Sequence, residues 1–396
     1  MIRDNEYARL IRFFPSRGIK IVRAQGQYVW DIDGKRYLDY HTGNGAAFLG
    51  HSNPVIVEMI IEQASKVMTC PPIFDSQVLD DCLAMLGKIL PRRLKNVYFL
   101  NSGSEAGELA LKLARKRTGR RRFASFTGAF HGRTMGALAM THNPKYRAGY
   151  DPFPWEHIFL PFNDVSSLDK IDESFAAVII EPVQGEGGLS VANKEFMKAL
   201  ADRCRNMGSI LIIDEVQTGF GRTGRLWSHE EYDIDPDIMV AGKSIGGGFP
   251  VSIVAVNDEI ASRVEEAEHG STHGGNPLAL AAVIGGTKVL LRDNVPLKSA
   301  EKGNHLANGL SEIAKTYPSI VRGVKGKGLM IGLDIRFNPA EIIRLLQTRG
   351  LLALKAGSTV LRFLPPYLIT EEDIDWSIRV IDEAVRLYCE HTGKRG

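Results

Sequence analysis

The chain has 396 residues, 44% of them hydrophobic and 24% charged, a composition typical of ordered globular proteins and not of disordered ones. Its 49 lysine and arginine residues nearly balance 46 aspartate and glutamate residues, which leaves a net charge of +3. This balance excludes a protein that binds nucleic acid through overall positive charge. At roughly 150 residues per domain, the length predicts two or three domains.

Neither a membrane protein nor an exported, disulfide-bonded protein is predicted. Residues 1–18 lack the continuous apolar core of a signal peptide, and no apolar stretch approaches the roughly 18 residues that cross a bilayer. The four cysteines are scattered, without a C-x-x-C pair or zinc-finger spacing. We therefore predict a cytoplasmic protein without a metal site.

Short apolar runs alternate with helical patterns through the first 290 residues. The strand candidates lie at 97–100, 176–180, 210–213 and 238–242. Each run is continuous rather than alternating, as expected for parallel strands covered on both faces. Residues 106–113 have alanine and leucine at i, i+3, i+4 and i+7, which predicts a helix after the first strand. The alternation predicts an α/β fold with a mostly parallel sheet, and the segment from about residue 290 a smaller α+β domain.

The sequence ILIIDE at 210–215 ends a buried strand with two carboxylates, at the sheet edge where α/β proteins bind ligands. One interpretation is a nucleotide-hydrolysing strand with a P-loop at 242–244. It fails because Asp237 occupies the position of the first P-loop glycine and because the two motifs occur in reversed order.

The other interpretation combines Asp214 with Lys243. A lysine at a strand end beside a glycine-rich loop suits Schiff-base chemistry, and an aspartate at a neighbouring strand end suits a pyridinium nitrogen. The turn at 101–106 leads into a helix whose N-terminus would bind a phosphate. Together these features indicate pyridoxal 5'-phosphate (PLP).

Nine motifs between Tyr28 and Pro366 resemble those of class III PLP-dependent aminotransferases of fold type I, close to the acetylornithine aminotransferase group. In order they are YVWDIDGKRYLDY, GHSNP, NSGSEA, GAFHGRT, EPVQGEGG, LIIDEVQTGFGRTG, AGKSIGGGFP, STHGGNP and LRFLPP. The resemblance implies a large PLP-binding domain at 49–289, built on a mostly parallel sheet. It implies a smaller α+β domain formed by 1–48 and 290–396.

The resemblance also implies roles for individual residues around the cofactor. Lys243 would bind the cofactor covalently and carry the proton, and Asp214 would pair with the pyridinium nitrogen. Thr272 would come from the second subunit of a homodimer. The implied cofactor-binding set is Gly103, Ser104, Phe130, Asp214, Glu215, Val216, Gln217, Lys243 and Thr272.

Five further residues resemble substrate-binding positions. Arg133 would grip a substrate carboxylate, and Arg362 would receive the α-carboxylate of glutamate or 2-oxoglutarate. Glu186 would cover Arg362 when the other substrate is bound. Ser271 would contact substrate across the dimer, and Tyr28 would line the entrance.

The substrate inferred from the resemblance is the ω-semialdehyde of glutamate or aminoadipate, attached to an acidic amino-group carrier protein or N-acetylated, with glutamate as amino donor. Ornithine or 4-aminobutyrate transamination and amino-acid racemisation remain alternatives. The six cations between Arg115 and Arg122 are either a solvated helix end or a docking patch for the acidic partner. His273 and the pair Val251-Ser252 depart from the acetylornithine pattern and leave the exact acceptor open.

Overall fold

The computed structural model describes residues 10–71 and 73–392. The strands are β1 (Ile21–Gln25), β2 (Tyr28–Asp31), β3 (Arg36–Asp39), β4 (Asn96–Leu100), β5 (Arg122–Phe126), β6 (Glu156–Leu160), β7 (Phe175–Ile180), β8 (Val183–Gln184), β9 (Ser190–Val191), β10 (Ile210–Asp214), β11 (Ile238–Ala241), β12 (Ser252–Val256), β13 (Val321–Lys327), β14 (Met330–Ile335), β15 (Leu351–Leu352), β16 (Leu354–Ala356) and β17 (Val360–Phe363).

The helices are α1 (Thr42–Gly45), α2 (Pro54–Ala64), α3 (Gln77–Leu86), α4 (Gly103–Thr118), α5 (Met135–Ala139), α6 (Pro144–Arg147), α7 (Lys194–Met207), α8 (Asp258–Ala261), α9 (Pro277–Arg292), α10 (Val295–Thr316), α11 (Ala340–Thr348) and α12 (Glu371–Thr392). Three short 3-10 helices lie at Val165–Lys170, Ser228–Tyr232 and Lys243–Gly246. Within the described residues, no helix is both long and apolar enough to cross a membrane.

A seven-stranded sheet in the order β4-β12-β11-β10-β7-β5-β6 forms the centre of the molecule. Strands β10, β7, β11, β5 and β6 pair in parallel, whereas β12 runs antiparallel to both β11 and β4. All four predicted strands lie in this sheet, as β4, β7, β10 and β11. The predicted α/β fold with a mostly parallel sheet is therefore confirmed.

The central sheet is covered on both faces, which explains why its strands are continuously apolar. Helix α4 packs on one face, where Leu109 and Ala110 belong to the same buried cluster as Ile212. Helix α7 packs on the other face, where Phe196 shares a cluster with Leu211. Alternate residues of β10 thus point into separate cores, as the two-residue repeat of a strand requires.

Two smaller sheets surround the centre. One, in the order β1-β2-β3-β15, joins the N-terminal strands to a strand near residue 351 through the parallel pair β15 and β3. The other, in the order β13-β14-β17-β16, lies wholly in the C-terminal part and is packed by α10. Both ends of the chain therefore contribute to the structure beside the central sheet. The domain boundaries at 48/49 and 289/290 stay a prediction.

Candidate active site

A cavity of about 190 Å³ lies at the carboxyl ends of the parallel strands. Strand β10 ends there at Asp214, β7 is followed by Glu181, and β11 is followed by Gly242 and Lys243. The cavity is lined by Ser102, Gly103, Ser104, Phe130, His131, Gly132, Glu181, Glu186, Asp214, Val216, Gln217 and Lys243. The sheet topology thus brings together seven of the nine predicted cofactor-binding residues.

Asp214 is held by two polar partners. One carboxylate oxygen accepts a hydrogen bond from the Val216 amide at 3.0 Å, and the other lies 2.7 Å from Nδ1 of His131. Nε2 of His131 is buried and has no partner in the described part of the chain. The pair fixes the direction of the Asp214 carboxylate and places it at the cavity wall.

Lys243 lies two residues after the end of β11, in a strained backbone conformation. Its φ is +46°, which a residue with a side chain rarely adopts, and such strain is typical of functional sites. Within residues 10–71 and 73–392 its ammonium has no hydrogen-bond partner. Burial lowers the pKa of Lys243, although the charge of Asp214 opposes this shift. A lowered pKa increases the fraction of neutral, nucleophilic amine.

The N-terminus of α4 also lines the cavity, through Ser102, Gly103 and Ser104. Ser102 caps the helix by accepting from the Glu105 amide at 3.3 Å, and the Glu105 carboxylate accepts from the Asn101 amide at 3.1 Å. A Cβ on Gly103 would lie 2.8 Å from a methyl group of Val216, so the backbone approaches here as only glycine allows. The first amides of α4 thus remain available to an anion such as a phosphate.

Arg362 and Glu186 form an ion pair at the cavity. Arg362 lies on β17 and is 1% exposed, and its Nη1 lies 2.7 Å from a Glu186 carboxylate oxygen. The same Nη1 donates to the Gly185 carbonyl at 2.6 Å and approaches Gln217 Oε1 at 3.4 Å. The Glu186 side chain is 29% exposed. A buried arginine is therefore paired with a carboxylate that can turn toward solvent.

Glu181 is a cavity residue that the sequence analysis did not identify. Its carboxylate accepts hydrogen bonds from the amides of Phe130 at 2.9 Å and Gly185 at 3.0 Å. Burial, together with the charge of Asp214, raises the pKa of Glu181 to about 7, although His131 opposes the shift. The signal in the sequence was the glutamate of EPVQGEGG, which directly follows the strand β7.

Among the predicted site residues, Tyr28, Ser271, Thr272 and Arg133 do not line the cavity. Tyr28 bonds to Asp373 and lines a separate cavity. Ser271 accepts from the Asn101 side chain at 3.3 Å, and Thr272 is exposed. Arg133 is exposed on the Phe130 loop, with its guanidinium 4.3 Å from the centroid of a tyrosine ring.

Glu215 has its side-chain partners away from the cavity. Its carboxylate accepts from the amide of His229 at 2.8 Å, lies 2.9 Å from Nδ1 of the same residue and bonds to Thr218. Because it follows Asp214 directly, it points to the other side of the sheet edge. Glu215 therefore holds the 228–232 segment and is not among the residues that line the cavity, and its contact with the cofactor stays a prediction.

The remaining residues fit PLP. The amine of Lys243, the carboxylate of Asp214 and the free amides at Gly103 supply a nucleophile, a partner for a pyridinium nitrogen and an anion cradle around one cavity. Phe130 and Val216 line the same space. Fold and site together define an enzyme of the PLP-dependent fold type I class.

Comparison with known proteins agrees with this conclusion and narrows it. The model of the aminotransferase class-III family matches residues 15–385. The chain therefore belongs to the class III aminotransferases, which are PLP-dependent transaminases.

Individual relatives cover nearly the whole chain. A LysW-aminoadipate semialdehyde/glutamate semialdehyde transaminase of Sulfolobus acidocaldarius is 51% identical over 95% of this chain and 97% of that protein. An acetylornithine aminotransferase of Archaeoglobus fulgidus is 38% identical over 96% of this chain and 98% of that protein.

Among solved structures, the ornithine aminotransferase of Toxoplasma gondii superposes with a TM-score of 0.91 at 27% identity, covering 96% of this chain and 93% of that one.

Proposed function

We propose that the protein transfers the amino group of glutamate to the ω-semialdehyde of a glutamate or aminoadipate whose α-amine is blocked by a carrier protein or an acetyl group. The products are the ornithine or lysine derivative and 2-oxoglutarate, which places the reaction in arginine or lysine biosynthesis. The observation that carries the proposal is the Arg362–Glu186 pair beside Lys243, because such a pair suits two alternating substrates.

The pair gives each substrate its own binding mode. A donor with an α-carboxylate replaces Glu186 at Arg362 with a bidentate carboxylate contact. An acceptor that enters by its aldehyde end has no carboxylate there, so Glu186 returns and keeps the buried charge paired. Arg133, which is exposed and directly follows the cavity residues Phe130, His131 and Gly132, then receives the carboxylate at the far end of the acceptor.

The chemistry rests on the residues around Lys243. When bound, PLP supplies the electron sink that weakens a bond at the amine-bearing carbon. Asp214, whose carboxylate is fixed by His131, would pair with the ring nitrogen and keep it protonated. Lys243 would hold the cofactor through its amine and would move the proton at the substrate carbon, for which its lowered pKa is suited.

The identity of the acceptor is supported by the relatives. The 51% identical protein is named for a semialdehyde on LysW, and the 38% identical one for acetylornithine. Both names describe an ω-amino transfer on a substrate with a substituted α-amine. Ornithine aminotransferases are similar in fold, at 27% identity. We therefore place a blocked α-amine ahead of free ornithine or 4-aminobutyrate.

The run of cations from Arg115 to Arg122 gives this proposal little support. Most of its members have partners within the chain: the Trp155 ring, Glu268, Glu259, three main-chain carbonyls and Ser174. Such a run matches the interpretation as the end of α4, where cations complement the helix dipole. The proposed carrier partner thus rests on substrate chemistry and not on this segment.

A panel of acceptors tests the function. We expect the holoenzyme with L-glutamate to use carrier-linked or N-acetylated semialdehyde with a kcat/KM at least about tenfold above that for free glutamate semialdehyde or succinate semialdehyde. Lys243→Ala should lower every rate at least about a thousandfold, whereas Lys194→Ala, which removes an exposed ion pair, should not.

Each alternative has its own outcome in this panel. Preference for free glutamate semialdehyde would identify an ornithine aminotransferase, and preference for succinate semialdehyde a 4-aminobutyrate aminotransferase. Formation of D-glutamate from L-glutamate without 2-oxoglutarate would identify a racemase.

A further inference from the structure

Arg222 is a second buried arginine close to the active site, and neither the motif roles nor the proposed function uses it. The side chain is 0% exposed and ranks among the largest fully buried groups of the described chain. Its guanidinium donates to the carbonyls of Leu329 at 3.0 Å, Pro365 at 2.7 Å and Gly45 at 3.0 Å. It also lies 4.0 Å from the centroid of the Phe48 ring.

Arg222 differs from an ordinary buried arginine because its charge is not paired. In the described part of the chain, no carboxylate lies within ion-pair distance, and its buried Nε has no partner. Burial and, second, the charge of Arg362 lower the pKa of Arg222 to about 9. Burying a charge without an ion-pair partner lowers the stability of a protein. The charge of Arg222 is stabilised only by carbonyl dipoles and by the face of an aromatic ring, so burying it destabilises the fold.

The position of Arg222 connects it to the carboxylate site. The Pro365 carbonyl follows Arg362 by three residues on the same segment. A Cβ on Gly45 would meet both Nη2 of Arg222 at 3.5 Å and Cγ of Gln217 at 4.0 Å. Gln217 in turn approaches Arg362 at 3.4 Å. Arg222 is therefore connected to Arg362 through the residues that surround both guanidinium groups.

We propose that Arg222 is a specificity-determining residue that keeps a net positive charge at the Arg362 site in both of its states. With Glu186 on Arg362, the two arginines and the glutamate sum to one positive charge. With Glu186 turned away and a substrate carboxylate in its place, the sum is the same. The residual charge favours an entering dicarboxylate over an uncharged competitor. The inference rests on the proposed function, because it takes Arg362 as the α-carboxylate site.

The role of Arg222 can be tested without turnover by measuring the equilibrium binding of glutarate to the holoenzyme. The visible absorbance of the bound cofactor reports the binding. We expect Arg222→Met to weaken glutarate binding about tenfold and to raise the KM for glutamate similarly, with kcat for a bound substrate changed much less. The matched control is Arg120→Met. Arg120 also donates to three main-chain carbonyls, at 3.0, 2.8 and 3.0 Å, but these belong to Phe175, Met207 and Gly208 and not to the segments around Arg362.

Two outcomes would overturn the proposal. In the first, Arg222→Met binds glutarate within about twofold of Arg120→Met, which would leave only a structural role. The second outcome concerns Arg222→Lys, a variant that keeps the positive charge but loses the guanidinium contacts to the three carbonyls. This variant also replaces Arg222→Met if the methionine variant does not fold. We expect it to bind glutarate within about threefold of the wild type, even with a lower melting temperature. Loss of binding with the charge retained would assign the effect to the fork instead.

Failure of the proposed function would look different. If glutamate is not the donor, wild-type turnover with glutamate is absent. If only the role of Arg222 is wrong, wild-type turnover with glutamate is intact, and Arg222→Met and Arg120→Met bind glutarate equally.

Discussion

Glu181 connects two loops whose side chains face the cofactor cavity. One carboxylate oxygen accepts from the Phe130 amide and the other from the Gly185 amide, whose residue also accepts from Arg362. The two loops carry Phe130 and Glu186, so the ring-contacting side chain and the ion pair share one anchor. A residue with such partners acts by positioning and does not need to touch substrate.

We predict that Glu181→Gln loosens one of these loops and changes the pH dependence of stability. An amide has one acceptor oxygen, so its NH₂ would face one of the two amides, at a cost of about 1–3 kcal/mol. The pKa of Glu181 is raised from 4.5 to about 7, so folding disfavours its charged form. The wild type should therefore lose stability relative to the variant as pH rises from about 4.5 to 7, with no further change above.

Melting temperatures of holoenzyme across this pH range measure the difference. The exposed Glu62→Gln serves as control, because it has a lowered pKa and should not show the loss. A wild type and Glu181 variant with parallel pH profiles would contradict the prediction.

Among individual residues, the sequence analysis identified the cavity side chains that lie at strand ends within local motifs. Asp214 and Lys243 were predicted because a strand end fixes the place of the next side chain, whatever the rest of the fold. Glu215 has its partners away from the cavity because the strand geometry turns adjacent residues to opposite sides. Glu181 and Arg222 were missed because their roles depend on main-chain partners from distant segments, which no local pattern records.

The N-terminus of helix α4 forms the predicted phosphate-binding site. The helix begins at Gly103 with Ser102 as its cap, and it ends at Gly119 in the left-handed conformation. We predict that Gly103→Ala weakens cofactor binding by at least about tenfold, because the new methyl group would lie 2.8 Å from Val216 and displace the amides that hold the phosphate. Titration of apoenzyme with PLP measures the affinity.

The control is Gly323→Ala on β13, where a Cβ meets nothing within 4 Å. Unchanged PLP affinity in Gly103→Ala would show that this end of the helix does not bind the phosphate.

The elements themselves were predicted unevenly. The four buried strands were recognised because short, continuous apolar runs bounded by turn residues are typical of strands covered on both faces. Strand β12, at Ser252–Val256, was not predicted, although it is equally apolar and fully buried. It pairs antiparallel with β4, whose residues lie more than 150 positions away, and with β11, whose residues lie fewer than 20 positions away. An apolar run alone does not show whether a strand pairs in parallel or antiparallel.

At the scale of the whole molecule, one predicted cofactor residue lies apart from the cavity of its own chain. Thr272 is exposed and does not line the cavity of its own chain. Large apolar side chains in the segment before α3 are also exposed: Met68 at 57%, Ile73 at 83% and Phe74 at 62%. Exposed apolar groups of this size are typical of surfaces that pair with another protein. From these observations we predict a homodimer in which Ser271 and Thr272 act across the interface.

Mixing two inactive variants tests whether the sites are shared. We predict that Lys243→Ala and Thr272→Asp are each inactive, the first without its amine and the second because its carboxylate repels the phosphate. If Thr272 acts on the partner's site, a mixed dimer has one site with both residues intact and one with neither. Random reassociation after mild denaturation should then restore about one quarter of the wild-type activity. If Thr272 served its own chain, every site in the mixture would carry one defect and no activity would return.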